Sequence, residues 1–295
     1  MNNYKFSLKR YHRSIDKLTC PSCGHKHRFS PYIDNATGKI IDPECGRCDR
    51  INSCGYHLTP REFFHQHPEM RDTKCKVAEY VRHETPKPRL YLPDNVINLY
   101  STPHSQSRLG RWLEKVAPSA EALEMATQDY CLTATTTQGT IFWYRDEKGR
   151  FCQGKMMWYK ENGHRNGFVS TISSDMAKRG KFPENAQMQR CLFGTHLLGK
   201  YQDKAVALVE GEKTAVVMSM LKPNFVWLAT GGCGNLNKEV TLPLIGRRVV
   251  VIPDSGCLEK WKKDMAETNG INYSFYEELE AYPPNTDILD ILIAE

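Results

Sequence analysis

From residue 204 onward, short apolar runs alternate with amphipathic ones, and this rhythm restricts the fold more than any other feature of the chain. KAVALV (204–209), FVWLAT (225–230), RRVVVIP (247–253) and INYSFY (271–276) read as strands. EKTAVVMSMLK (212–222), CLEKWKKDMAE (257–267) and DILDILIAE (287–295) read as helices. A strand that is apolar throughout must be covered on both faces, and intervening helices supply that cover, so the segment predicts a parallel α/β sheet. Functional side chains in such sheets gather at the carboxyl ends of the strands. Glu210 and Asp254 fall at two of those ends. Carboxylates on adjacent strand tips can share one hard divalent cation. Their plainer roles are a helix N-terminal anion for Glu210 and the start of a turn for Asp254. Lys213, in the first turn of the next helix, would face phosphate oxygens. Gly211-Glu212-Lys213-Thr214 is no nucleotide P-loop, because that motif places Gly directly before Lys and a carboxylate in the cradle would repel phosphate.

The other end of the chain is built differently. Five of the eleven cysteines fall within residues 20–54. Cys20-x2-Cys23 has the spacing of a metal knuckle, two thiolates able to share one Zn²⁺. The second pair is open: Cys45 with Cys48, or Cys48 with Cys54, with His57 as a spare ligand. The segment 20–57 holds few large apolar residues, so it needs a metal to fold. A turn at Asn35–Gly38 separates the short strands Phe29–Ile33 and Lys39–Ile41. The other six cysteines are scattered, which argues against a disulfide framework; Cys233 and Cys257 beside the carboxylates read as small buried apolar residues.

Between the ends, residues 60–83 predict a helix with Phe63, Phe64, Val77, Tyr80 and Val81 on its apolar faces. TPKPRLYLP (85–93) reads as an extended linker, and 106–127 as a further helix. Residues 139–159 predict a hairpin around Asp146–Gly149, where Gly149 supplies a positive φ. Trp143, Trp158 and Tyr159 on it are expected in the core. Residues 160–190 read as polar and irregular. Gly231-Gly232-Cys233-Gly234 reads as a tight turn near the carboxylates.

Charge is unevenly spread. Residues 1–90 hold 17 Lys and Arg against 10 Asp and Glu, whereas the remainder is nearly balanced within a net charge of +6. A basic leading module suits a polyanionic partner. No run approaches the ~20 apolar residues of a membrane helix, and no apolar leader opens the chain, so it reads as soluble and cytoplasmic, with no membrane partner.

These motifs resemble known families. GRCDR…CGYH, some twenty residues after CPSCG, resembles the zinc ribbon of Toprim proteins carried on bacterial mobile elements. The resemblance implies Cys20, Cys23, Cys48 and Cys54 as ligands of a structural Zn²⁺, with Arg28, Arg47 and Arg50 beside them as nucleic-acid contacts. LVEGEKTA, followed some forty residues later by VIPDSG, is similar to the Toprim fold of primases, topoisomerases and some nucleases. It implies Glu210 and Asp254 as ligands of Mg²⁺ or Mn²⁺, with Lys213 beside them. The family's second aspartate falls on Gly256, a departure for which Ser255, Glu259, Asp287 or Asp290 would compensate. GTIFWYRDEKGRFCQGKMMWY, leading to CLFGTHLLG, resembles the primase segment that precedes the Toprim part, and implies Arg145, Lys155 and Arg165 in a basic groove.

The expected architecture is α/β: a basic zinc ribbon (1–66), a helix and Pro-rich linker (67–105), a primase-like α+β region (106–190) and a Toprim parallel-sheet domain (191–295). The function implied is primase-like nucleotidyl transfer on a single-stranded DNA or RNA template, using nucleoside triphosphates and a separate helicase. The alternatives are a non-catalytic nucleic-acid-binding module with a degenerate site, and a Toprim nuclease.

Overall fold

The computed structural model describes residues 4–11, 13–50, 53–70, 89–184 and 186–294. The chain divides into two compact units, Met1–His83 and Glu84–Glu295, taken separately below.

In the first unit, β1 (Phe6–Leu8), β2 (Phe29–Asp34) and β3 (Gly46–Cys48) form an antiparallel sheet in that order. The expected turn follows β2. The Asp34 carboxylate accepts the N–H groups of Ala36 and Thr37, Gly38 takes a φ of +70°, and Ile33 bridges to Ile40. Helix α1 (Pro60–Gln66) starts at a capping box in which Thr59 and Glu62 satisfy each other's backbone N–H, with proline in the first turn. Val77, Tyr80 and Val81 of the expected longer helix lie outside the described residues, as does Cys75. The core is small: Phe29 with Cys20 and Cys48, flanked by Leu18, Cys23, Cys54 and Tyr56. Sulfur thus supplies much of the interior.

The second unit opens with α2 (Val96–Leu99), β4 (Thr102–Pro103), α3 (Arg108–Val116), α4 (Ala120–Asp129) and β5 (Thr133–Ala134). The single helix expected over 106–127 is two. Pro118 cannot continue α3, and Ser119 caps α4 by accepting the N–H of Ala122. β6 (Thr140–Arg145) and β7 (Phe151–Tyr159) form the expected hairpin. Its turn is held by Asp146 Oδ1, which accepts from Lys148 and Arg150, and Gly149 has the expected positive φ of +78°. The stretch expected to be irregular contains β8 (Arg165–Thr171) and α5 (Ile172–Lys178). β8 escapes a pattern search because residues 165–169 are all exposed on an edge strand, leaving no buried alternation to detect. The antiparallel sheet runs β4-β5-β6-β7-β8.

Next come α6 (Leu197–Lys200), β9 (Ala205–Val209), α7 (Glu212–Leu221), β10 (Phe225–Ala229), α8 (Lys238–Thr241), β11 (Arg248–Val251), α9 (Leu258–Ala266), β12 (Asn272–Phe275) and α10 (Ile288–Ala294). The four strands form the expected parallel sheet, ordered β10-β9-β11-β12. One core joins the two sheets, from Leu109 and Leu113 through Phe142, Met157 and Phe193 to Leu208, Val251 and Trp261. Alternation along β6 places Phe142 in this core and sends Ile141 and Trp143 into a second one with Val96, Met156 and Ile172. Trp143 and Tyr159 are buried as expected, whereas Trp158 is half-buried beside the exposed Phe168. No helix among the described residues is long and apolar enough to cross a membrane.

Candidate functional site

Two donor clusters stand out, one in each unit. In the ribbon, the sulfurs of Cys20, Cys23, Cys48 and Cys54 all lie within 4.8 Å of one another. Zn–S bonds of about 2.3 Å at tetrahedral angles require S···S edges of about 3.8 Å, and Cys20 Sγ stands 3.8 Å from Cys54 Sγ. The backbone N–H of His25 is the main influence lowering the Cys23 thiol to about 6. Burial pushes Cys48 up to about 12, so a cation must compensate its thiolate. The donor set fits a structural zinc ion. Cys45 and His57 stand outside it: Cys45 Sγ bonds the carbonyl of Leu58, and His57 pairs with the Tyr32 hydroxyl. Near the cluster, Arg28 and Arg47 are exposed and Arg50 lies against the His25 ring.

In the second unit β9 and β11 are neighbours, with Val251 opposite Leu208. Glu210 and Asp254 therefore emerge at one end of adjacent strands. Burial pushes the Asp254 carboxyl up to about 8; the charges of Glu210, Asp287 and Asp290 act in the same direction, and Arg165 opposes them. Burial also raises Glu210, against the backbone N–H of Cys233 and the charges of Arg165 and Lys155.

Of the four residues offered in place of a second aspartate, two act on Asp254. Asp287 accepts the hydroxyl of Thr214 at 2.6 Å. Asp287 and Asp290 cap each other's backbone N–H at 2.8 and 3.1 Å. Ser255 instead donates to the carbonyl of Tyr282, and the exposed Glu259 pairs with Lys262. Gly256 takes a φ of +88° and donates its N–H to Glu280, a conformation an aspartate there would adopt only with strain. Glu210, Asp254 and Asp287 are half-buried and Asp290 is exposed; carboxylate oxygens are the kind of donor that could hold a hard divalent cation.

The basic candidates divide by their engagements. Arg165, at the start of β8, acts through its charge to lower the pKa of both Glu210 and Asp254. Lys213 donates to the carbonyl of Gly163 at 3.3 Å and lies over the Trp112 ring; burial lowers its pKa against the pull of Asp287 and Asp290. Lys155 donates to the carbonyl of Gly231 at 3.0 Å and pairs with Glu212 at 2.7 Å. Arg145 is engaged in the hairpin, donating to the carbonyl of Gly149 and to Cys131 Sγ while lying over Phe151.

Sequence reasoning missed Glu212, which entered only as the residue that spoils a P-loop. It is fully buried, its Oε1 accepts from Tyr144 and Lys155, and its Oε2 has no hydrogen-bond partner among the described residues. The turn that follows β10 approaches it closely, since a Cβ on Gly231 would stand 2.2 Å from the Tyr144 hydroxyl oxygen and 3.1 Å from Glu212 Oε1. Cys233 and Cys257 also depart from expectation: they are half-buried and bonded to each other. Flanking one central strand in the sheet brings them together, which their spacing in sequence cannot reveal.

Comparison with known proteins gives two family matches. A family model described as a domain of unknown function (DUF6371) matches residues 107–255, and a zinc beta-ribbon finger model matches residues 4–69. No curated protein matches the chain. Among solved structures, the primase fragment of the bacteriophage T7 primase-helicase protein aligns over 95% of this chain and 95% of that chain, with 12% identity and a TM-score of 0.42. The DnaG primase catalytic domain bound to ssDNA aligns over 68% and 74%, with 14% identity and a TM-score of 0.43. The Aquifex aeolicus primase, in its zinc-binding and RNA polymerase domains, aligns over 98% and 77%, with 14% identity and a TM-score of 0.36.

Proposed function

The chain belongs to the DUF6371 family, a domain of unknown function whose matched segment holds Glu210, Asp254, Lys155 and Arg165, and we propose that it is a primase-like nucleotidyltransferase acting on a single-stranded template. The observation that carries this reading is the pairing of Glu210 and Asp254 at adjacent parallel strand tips, where burial and neighbouring carboxylates raise both above the usual carboxylate range. The resemblance of LVEGEKTA and VIPDSG to the Toprim motif supports it, as does the basic ribbon module.

A divalent cation held by Glu210 and Asp254 would supply positive charge to the transferring phosphoryl group. Arg165 would neutralise phosphate oxygens beside the acids, and Asp287 and Asp290 would hold the negative field in place of a second aspartate at 256. No protein nucleophile is required, since the primer 3′-hydroxyl attacks. Cys20, Cys23, Cys48 and Cys54 would hold the structural zinc, and Arg28, Arg47 and Arg50 would give the ribbon its phosphate contacts. A separate helicase is its proposed partner, and the proposed role in mobile-element replication rests on the motif resemblance alone.

A gel with labelled template, nucleoside triphosphates and Mn²⁺ tests the reading. Wild type should extend primers and Glu210→Gln should not, while binding single strands equally well. Undiminished synthesis by Glu210→Gln would refute the assigned role. Gly256 favours a second reading, a binding module without catalysis, which predicts a shifted template and no product. A shortened template would instead mark a nuclease.

A further inference from the structure

One cluster of chemistry-bearing side chains remains unused by this reading, and it adjoins Glu210. Cys233 lies in the turn after β10, and Cys257 directly precedes α9 after β11. These two strands flank β9, so both sulfurs converge on the residue at its tip. They form a disulfide with Cα atoms 6.2 Å apart. Cys257 Sγ stands 3.4 Å from Glu210 Oε2, and the Cys233 N–H acts to lower the pKa of the same carboxylate. Both sulfurs and one carboxylate oxygen lie within 4.8 Å of one another.

We propose that, once the disulfide is reduced, Cys233, Cys257 and Glu210 form a second zinc site with three protein ligands and one open position. Zn–S and Zn–O bonds of about 2.3 and 2.0 Å at a tetrahedral angle set an S···O edge of about 3.5 Å, close to the separation at Cys257 and Glu210. Two thiolates select a borderline-soft ion over Mg²⁺. The residue after Gly256 thus offers sulfur next to the position where the Toprim pattern has its second carboxylate. Three protein ligands and an open position match a catalytic rather than a structural zinc. The nature of the fourth ligand, a phosphate oxygen, rests on the function proposed above.

The loops do not depend on the S–S bond for their approach. The Trp261 indole donates to the carbonyl of Cys233 at 3.0 Å, tying α9 to the turn after β10. The Cys257 N–H donates to the carbonyl of Asp254 at 2.9 Å. Reduction by a dithiol transfers two electrons and two protons to the sulfurs, and the dithiol becomes a disulfide. Zinc then displaces both thiol protons to solvent. Disulfide and zinc exclude each other at this pair of sulfurs.

The test is zinc content of the full-length chain after phosphine reduction and dialysis against limiting free Zn²⁺, measured by plasma mass spectrometry without nucleotide or template. Reduced wild type should hold two zinc ions, one of them in the ribbon. Oxidised wild type and reduced Cys257→Ser should each hold one, and Glu210→Gln should weaken the second site at least tenfold. The oxidised wild type needs no substitution, so the comparison survives a variant that does not fold. One ion in the reduced wild type, or two in reduced Cys257→Ser, overturns the proposal. Since nothing is synthesised, failure of primer extension leaves the zinc count unaffected; conversely, extension by reduced wild type that holds one zinc would sink only this site.

Discussion

The Lys155 ammonium lies 2.7 Å from Oε1 of Glu212, a carboxylate buried at the start of α7. The pair ties the antiparallel sheet to the parallel one, because Lys155 belongs to β7 and Glu212 follows β9. Tyr144 donates to the same oxygen at 2.5 Å. Stranding one member of a buried ion pair costs about 3–5 kcal/mol, whereas replacing both by apolar groups is often neutral.

Lys155→Met is therefore expected to lower unfolding free energy by about 3 kcal/mol, and the double variant Lys155→Met/Glu212→Leu to recover most of that loss. Denaturant titration checks this. If Lys155→Met instead keeps full stability and weakens only template binding, the lysine serves phosphate rather than the fold.

At the proposed cation site, Asp254 would make binding depend on pH. In the cation-free folded chain its carboxyl is raised from 3.8 to about 8. The folded state therefore holds an extra proton between those values. Its stabilising contribution is complete below the lower value and lost as pH rises through the higher one, by up to about 1.4 kcal/mol per pH unit. Thermal unfolding of the cation-free chain should show stability falling across that window, and Asp254→Asn should flatten the slope. Because Mn²⁺ displaces the proton, its affinity for wild type should climb with pH up to about 8. Calorimetric titration showing pH-independent affinity would contradict the site.

The ribbon should unfold without its metal, since sulfur supplies much of its core. Chelation, or Cys54→Ser, should abolish the amide dispersion of residues 4–69 in NMR spectra. Cys45→Ser should retain zinc at a cost of about 1 kcal/mol, because that thiol only bonds the carbonyl of Leu58. Loss of zinc from Cys45→Ser would return it to the ligand set.

How much of this was legible in sequence depended on whether a residue's role is local. The strands β9, β10 and β11 are continuous apolar runs, so their parallel sheet and the acids at its tips could be read directly. Asp146 and Gly149 announced the hairpin for the same reason. The break between α3 and α4 was also local, at Pro118 and Ser119, but helical periodicity on both sides masked it. β8 was hidden because exposure erased its pattern. The Lys155–Glu212 pair and the Cys233–Cys257 bond needed strand order, which no spacing encodes; β10 and β11 had first to be placed on either side of β9.

Arg165 and Arg145 provide the final contrast. Arg165 is exposed and its charge lowers the pKa of both acids, so under the proposed function it would meet a phosphate oxygen beside them. Arg145 has its guanidinium occupied by Gly149, Cys131 and Phe151. Each phosphate contact contributes about one unit to the dependence of log affinity on log salt. Arg165→Ala should thus reduce that slope by about 1 and weaken template binding without changing the melting temperature. Arg145→Ala should leave the slope alone and cost about 1–2 kcal/mol of stability, through the lost hydrogen bonds at the hairpin turn. Fluorescence anisotropy of a labelled oligonucleotide across a salt series, beside melting curves, reads both quantities. An unchanged slope in Arg165→Ala, with a lower one in Arg145→Ala, would move the nucleic-acid path from the β8 edge to the hairpin turn.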